Sequence, residues 1–251
     1  MGELTNQAVA ILLVSLRIVP TIAFASPFTL MRVPPTVRVL LAIALSAWLV
    51  VGHPAQSTHA DFWAHGLFLT ALGELLMGIG LALALQLAFA ALLTAGRAID
   101  IQAGFGLAVL VDPATRTQVP LVGTLFAYAA GAVFFATNGP ADLLAIWSAS
   151  LEHVPLGTSP IGSDVTLLTA YISAVFTMAF GLGGLIMLVL FMADLAIAFM
   201  SRTLPQMNVM LLGFQVKAMA TLAILPFAIS LSGALFLRMI RYALENTLAI
   251  A

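Results

Sequence analysis

Five runs of this chain carry no Asp, Glu, Lys or Arg: 39–60, 75–96, 117–141, 165–193 and 218–237. A membrane-spanning helix needs about 20 mostly apolar residues. Four of the runs are apolar throughout, and the first is interrupted by Gly52, His53 and Pro54. The pattern predicts six apolar segments, at 7–30, 37–52, 62–96, 119–137, 166–199 and 209–237. Turn chemistry separates them in MRVPPTVR (31–38), GHPAQSTHAD (52–61), DPATRTQVP (112–120), NGPAD (138–142) and EHVPLGTSPIGSD (152–164). Proline and glycine stop helices there, one by fixing φ and the other by permitting unusual φ. The period-two alternation of a membrane barrel is absent. The expected fold is an all-α membrane protein of about six long, kinked apolar helices.

One segment is too long for a simple span. From Phe62 to Val111 the sequence is helix-compatible almost without interruption, roughly 75 Å of helix against a hydrocarbon core of about 30 Å. Either Gly96 or the Gly104–Gly106 pair breaks it, or it projects well outside the bilayer.

Composition sharpens the class. Of 251 residues, 62% are hydrophobic and only 8% are charged, against about 25% charged in soluble domains. So few charges cannot cover a soluble surface of this size. The net charge of −1 gives no electrostatic pull towards nucleic acid. With no cysteine, disulfides, thiolate metal sites and cysteine nucleophiles are excluded. At the N-terminus, Glu3 stands where a cleavable signal would be basic, and Arg17 cuts the apolar stretch. MGELTNQAVAILLVSLRIVP therefore reads as a first membrane segment.

Charge also suggests sidedness. Arg32 and Arg38 hold the 31–38 turn in the cytoplasm by the positive-inside rule, as does Arg202 for its own turn. The 138–164 connection carries Asp142, Glu152 and Asp164 with no Lys or Arg, as expected on the far side. Six simple spans satisfy these but leave Arg238 and Arg241 misplaced. Either the sixth segment does not cross conventionally, or orientation is not set by simple spans.

Four charges lie inside apolar segments: Arg17, Glu74, Asp194 and Lys217. Charges at such depth are costly, so they face a bundle interior or water and find partners. They either line a proton or substrate path or hold neighbouring helices in register. Arg97 and Asp100 are spaced to pair on one helix face. In AGRAIDIQAGFGLAVLVDP (95–113), the glycines lower helix stability by about 1 kcal/mol each relative to alanine. The apolar run Phe105–Val111 then ends at Asp112–Pro113, where proline biases Asp112 to extended backbone. A nucleotide loop is excluded, because the third glycine and the flanking strand and helix are missing. The remaining readings are an apolar insert at membrane depth, tolerated only where protein or a cavity surrounds it, or an ordinary re-entrant turn. Small residues at Gly80, Ala84 and Ala88, at Ala127 and Gly131, and at Gly181, Gly183 and Gly184 permit close helix packing.

Catalysis finds little support. His53, His59, His65 and His153 have no metal-ligand spacing, and no nucleophile elbow is present. No catalytic, cofactor-binding or metal-ligating residue is expected.

Four stretches carry a resemblance: GELLMGIGLALALQLAFAALLTAG (73–96), QAGFGLAVLVDPATRTQVP (102–120), FFATNGP (134–140) and SRTLPQMNVMLLGFQVK (201–217). Together they resemble the FliR family of flagellar type III export-gate proteins, whose virulence-secretion counterparts share the pattern. The likeness covers nearly the whole chain and implies a non-enzymatic, all-helical subunit of the bacterial inner membrane and flagellar basal body. It implies assembly with FliP and FliQ, contact with FlhB and FlhA, and passage of unfolded flagellar proteins through a shared path. Residues 1–165 would be the FliP-like portion and 166–251 the FliQ-like hairpin portion. The family's plug maps here to Gly104, Phe105, Gly106, Leu107, Val109, Leu110, Asp112 and Pro113. Arg202, Pro205, Gln206, Asn208 and Lys217 would shape a turn at the cytoplasmic entrance, and Arg17, Glu74, Arg97, Asp100 and Asp194 are the further candidate polar residues. The sequence departs from the family pattern at Arg97, Pro140 and Gln215. A virulence-secretion paralogue and a proton-coupled secondary transporter are the alternatives.

Overall fold

A computed structural model describes residues 2–31, 33–54, 66–105, 110–111, 118–158, 165–203, 209–231 and 233–250. The described residues form eight α-helices and one short 3-10 turn, Phe28–Met31. The helices are α1 (Gly2–Phe24), α2 (Pro35–Gly52), α3 (Leu67–Ala103), α4 (Leu121–Ala136), α5 (Gly139–His153), α6 (Val165–Thr203), α7 (Val209–Leu231) and α8 (Gly233–Ile250). Five are long and apolar enough to cross a membrane, and α4 with α5, bent by 73°, makes a sixth candidate span. The all-α membrane fold is therefore as the hydropathy pattern predicts. The one β pairing among the described residues joins Leu110–Val111 antiparallel to Gln118–Val119, with Leu110 opposite Val119.

Local chemistry sets the helix limits. Pro34 precedes α2, and Pro35 sits at its first turn, where a missing N–H costs nothing. The overlong segment runs unbroken through Gly96 and stops after Ala103, where Gly104 takes φ +85°. Of the two expected break points, the second is used. At 37 residues, α3 is roughly 55 Å long, still well beyond the hydrocarbon core.

One expectation needs correction. The 138–164 connection is largely helical, since α5 occupies Gly139–His153. Its apolar stripe, Leu143, Trp147, Ser150 and Leu151, is buried at helical spacing. Asn138 in the left-handed region (φ 63°) makes the bend before it, and Pro140 begins the new helix. A Cβ on Gly139 would lie 2.6 Å from the Phe134 carbonyl, so the turn needs glycine there. Beyond Leu231, the last described residue of α7, helix α8 is amphipathic and buries Phe236, Met239, Ile240, Ala243 and Leu244. Arg238 and Arg241 lie on its exposed face.

Contacts divide the chain into two compact units. The first holds Met1–Leu87, Phe134–Ile172 and Ile240–Ala251, and the second Ala88–Val133 and Ser173–Met239. In the first, α1 and α3 approach so closely that a Cβ on Gly78 would lie 2.7 Å from the Arg17 carbonyl. That contact covers the turn where Pro20 cannot donate to the Leu16 carbonyl. Phe28, Phe134 and Phe135 meet edge to face in the same unit, and Tyr171 stacks on Tyr242. In the second unit the core gathers Phe89, Leu92, Ile99, Phe126, Leu190 and Phe236.

Candidate functional site: the roots of the 104–120 segment

The chain leaves α3 at Gly104 and enters α4 at Leu121. The second unit ties these two ends differently. At the exit, the positive φ of Gly104 excludes a side chain twice over. Its backbone region penalises a Cβ, and a Cβ there would lie 2.8 Å from Cδ2 of Phe214. Beside it is a 280 Å³ cleft lined by Ala103, Gly104, Asp194, Ile197, Gly213, Phe214 and Lys217. Within the cleft the Lys217 ammonium of α7 pairs with the Asp194 carboxylate of α6. The pair is partly open, with Lys217 21% and Asp194 41% exposed. Two residues back on α3, Gln102 Nε2 donates to the Met187 carbonyl at 3.2 Å.

At the entrance, the tie is buried. Asp100 is 3% exposed, and its Oδ1 accepts the Val122 N–H at 3.1 Å. The first N–H groups of a helix have no internal partner, and a carboxylate at that end also meets the positive pole of the helix dipole. Asp100 thus caps α4 from α3. This corrects the expected Arg97–Asp100 pairing: Arg97 is exposed, and no ion pair joins the two among the described residues. Gly96 and Gly123 sit backbone to backbone, so a Cβ on Gly96 would overlap Gly123, and one on Gly123 would lie 2.8 Å from the Leu93 carbonyl.

The remaining buried charges form a separate cluster in the first unit. Arg17 Nε and Nη2 both address Glu74 Oε2, at 2.7 and 2.6 Å. Arg17 Nη1 donates to the Ser150 and Val154 carbonyls, each at 3.0 Å, and to Ser150 Oγ at 2.9 Å. Glu74 Oε1 accepts the Gly157 N–H at 3.3 Å. Both side chains are almost completely buried. The arginine thereby satisfies carbonyls at the C-terminal end of α5, where a cation suits the dipole. His53, at the end of α2, contacts Ser148 Oγ at 2.9 Å and Glu152 at 3.5 Å.

Of the plug residues expected from the sequence, Gly104 and Phe105 are described, and Leu110 has only its backbone described. Gly106, Leu107, Val109, Asp112 and Pro113 lie outside the described residues, as do Pro205, Gln206 and Asn208 of the entrance turn. Arg202 is exposed in the last turn of α6, while Lys217 is engaged with Asp194. Phe214, Gly123, Gly78 and Ser150 did not stand out in the sequence, because each matters through a partner distant along the chain. A Cβ on Gly183 would lie 3.0 Å from Ile99 Cδ1, but Gly181 and Gly184 have nothing within 4 Å for a Cβ to meet.

The family model described as bacterial export proteins, family 1, matches residues 8–243. The chain is 29% identical to the flagellar biosynthetic protein FliR of Escherichia coli strain K12 over 201 residues, 79% of this chain and 76% of that protein. It is 28% identical to FliR of Aquifex aeolicus strain VF5 over 241 residues, covering 92% and 90%. It is 23% identical to the surface presentation of antigens protein SpaR of Shigella flexneri over 193 residues, covering 77% and 74%.

Proposed function

Because the chain belongs to the bacterial export proteins, family 1, we propose that it is a channel subunit of the flagellar type III export gate in the bacterial inner membrane. Its partners are FliP and FliQ, with FlhB and FlhA as further components of the apparatus at the basal body, and its cargo is unfolded flagellar protein. Residues 1–165 play the FliP-like part and 166–251 the FliQ-like part. Identity to the flagellar relatives, 29% and 28%, exceeds the 23% to the virulence protein, which favours a flagellar cargo.

The observation that carries this reading is how little α6 and α7 pack within their own chain. In their most apolar windows only 22% and 17% of residues are buried, against 56% in α1 and α3, while the short α2 shares the value of 22%. Phe191, Phe199, Met219, Phe227 and Leu231 are among the large apolar side chains left uncovered. Lipid alone satisfies such faces within the bilayer, yet α6, 39 residues long, exceeds the hydrocarbon core, so neighbouring subunits are the natural cover of its excess. Tagged protein purified from native membranes should bring FliP and FliQ with it. A lone protein that moves small solutes in liposomes would instead establish the transporter reading.

The gate lies in residues 104–113, whose apolar side chains close the resting path. A narrow dry constriction stops ions because they lose hydration on entering. Deleting 105–110 should make cells leaky to ions while the complex still assembles; unchanged permeability in an assembled complex removes the gate assignment.

A further inference from the structure

We propose that the cleft between α1 and α3 holds one acyl chain of an anionic phospholipid, with the lipid phosphate on Arg38. The cleft has a volume of 240 Å³, room for part of one chain and far too little for a whole lipid. Pro20 and Phe24 of α1 line one wall, and Ile79, Ala82, Leu83 and Gln86 of α3 the other. From Ile79 to Gln86 is two turns, roughly 10 Å along the helix axis. One end of that length differs from the rest. Gln86 is the polar member of the lining, and it lies beside the C-terminal end of α1, where its Oε1 accepts the Ser26 N–H at 3.1 Å. Toward Ile79 the walls are apolar.

Arg38 of α2 stands at the Gln86 end. Its Nη1 donates to the Ala23 carbonyl, one residue before Phe24, and its Nε to the Val33 carbonyl at 3.1 Å. These bonds fix the guanidinium and leave Nη2 without a partner among the described residues. No carboxylate pairs with it among them either, and the sequence has no Asp or Glu from Leu4 to Ala60. A guanidinium with open N–H groups is the donor that suits a phosphate. The bond at Gln86 Oε1 likewise leaves the Nε2 donors for a glycerol ester carbonyl. Both α1 and α3 are long and apolar enough to cross a membrane, so the open side of the cleft meets acyl chains. The 31–38 turn is the end that the positive-inside rule assigns to the cytoplasm, where anionic lipid gives the leaflet its negative surface potential. An apolar groove ending in a lone cation matches an amphiphile with an anionic head. A neighbouring subunit's apolar side chain would fill the groove but leave Arg38 without a counter-charge.

The test uses the full-length chain, purified in mild detergent from native membranes with the subunits that accompany it. The assembly is equilibrated with phosphatidylglycerol or with phosphatidylcholine of the same acyl chains, and retained lipid is read by mass spectrometry of the intact assembly. The wild type should hold phosphatidylglycerol about tenfold more tightly than phosphatidylcholine at one site that Arg38→Gln removes, the change expected from one charge-assisted hydrogen bond. Arg38→Lys, which keeps the charge without the fork, should keep part of the preference. Leu83→Trp should instead reduce retention of both lipids at that site, because Leu83, 40% exposed, forms the open rim of the cleft. An unchanged preference in Arg38→Gln overturns the proposal, as does equal retention of the two lipids by the wild type. Arg38 also holds two backbone carbonyls, so a second variant decides if Arg38→Gln does not accumulate. The chain has no native cysteine, and Leu83→Cys therefore accepts a thiol-directed photo-cross-linker at a unique position. From an equimolar lipid mixture it should capture phosphatidylglycerol in clear excess. Equal capture of the two lipids, or capture of a neighbouring subunit, takes the cleft away from anionic lipid.

Discussion

Replacing Glu74 with alanine should cost about 3–5 kcal/mol, the penalty for stripping a partner from a buried charge, and the protein should largely vanish from the membrane. Arg17 has no alternative acid within the cluster, and its other contacts are neutral carbonyls and a hydroxyl. Glu74→Gln keeps the shape and an acceptor oxygen, so a smaller loss is expected. The double replacement Arg17→Leu with Glu74→Leu is the informative one. Exchanging a whole buried ion pair for apolar side chains is often neutral or stabilising. Here it should remain harmful, because the Val154 carbonyl that takes Arg17 Nη1 would lose that donor. That acceptor is part-buried, so leaving it unsatisfied should cost about 1 kcal/mol, the low end for a buried group. Thermal unfolding of the detergent-purified protein, together with its steady-state membrane level, checks all three. A fully stable double variant would show that Arg17 is needed only to neutralise Glu74.

The sequence made the class of this cluster readable and concealed its wiring. Arg17 and Glu74 stand out because charge inside apolar segments is costly anywhere. That they meet each other, and that Arg17 also reaches Ser150 and Val154, depends on α1, α3 and α5 coming together across sequence separations of 57 to 137 residues. Spacing within one helix was the only pairing rule available, and it misled at Arg97–Asp100. There the i,i+3 geometry offered an exposed pair of small worth, while the unpaired N–H groups at the start of α4 offered Asp100 a buried use. Helix α5 was hidden for a related reason. Its fifteen residues carry Asp142 and Glu152 and fall short of a span, so hydropathy ranked them as connection. Its buried face at 143, 147, 150 and 151 was periodic all along. The break after Ala103 was legible because glycine combines weak helix propensity with access to positive φ. Choosing Gly104 over Gly96 was not, since only the fold reveals that Gly96 is needed for contact with Gly123.

That contact carries the second large expected effect. Gly96→Ala should destabilise by about 3 kcal/mol, the upper end of the cost of overpacking. The added methyl meets the Cα and N of Gly123, and backbone cannot rotate aside as a side chain would. Gly123→Ala should do the same from the opposite wall, against the Leu93 carbonyl and Pro120 Cγ, the latter at 2.9 Å. Gly181→Ala and Gly184→Ala, where a methyl meets nothing within 4 Å, should leave the chain's own stability unchanged or raise it by up to about 1 kcal/mol through helix propensity. Denaturation midpoints of the four variants measure the contrast. The consequence reaches beyond stability, because Gly123 lies one residue after Val122, whose N–H Asp100 receives. Parting α3 from α4 at Gly96 should also strain that N–H away from its carboxylate. Gly96→Ala should therefore speed hydrogen exchange at the Val122 amide as well as lower the midpoint. Wild-type exchange at Val122 in Gly96→Ala would mean that Asp100 holds the start of α4 without help from the glycine pair.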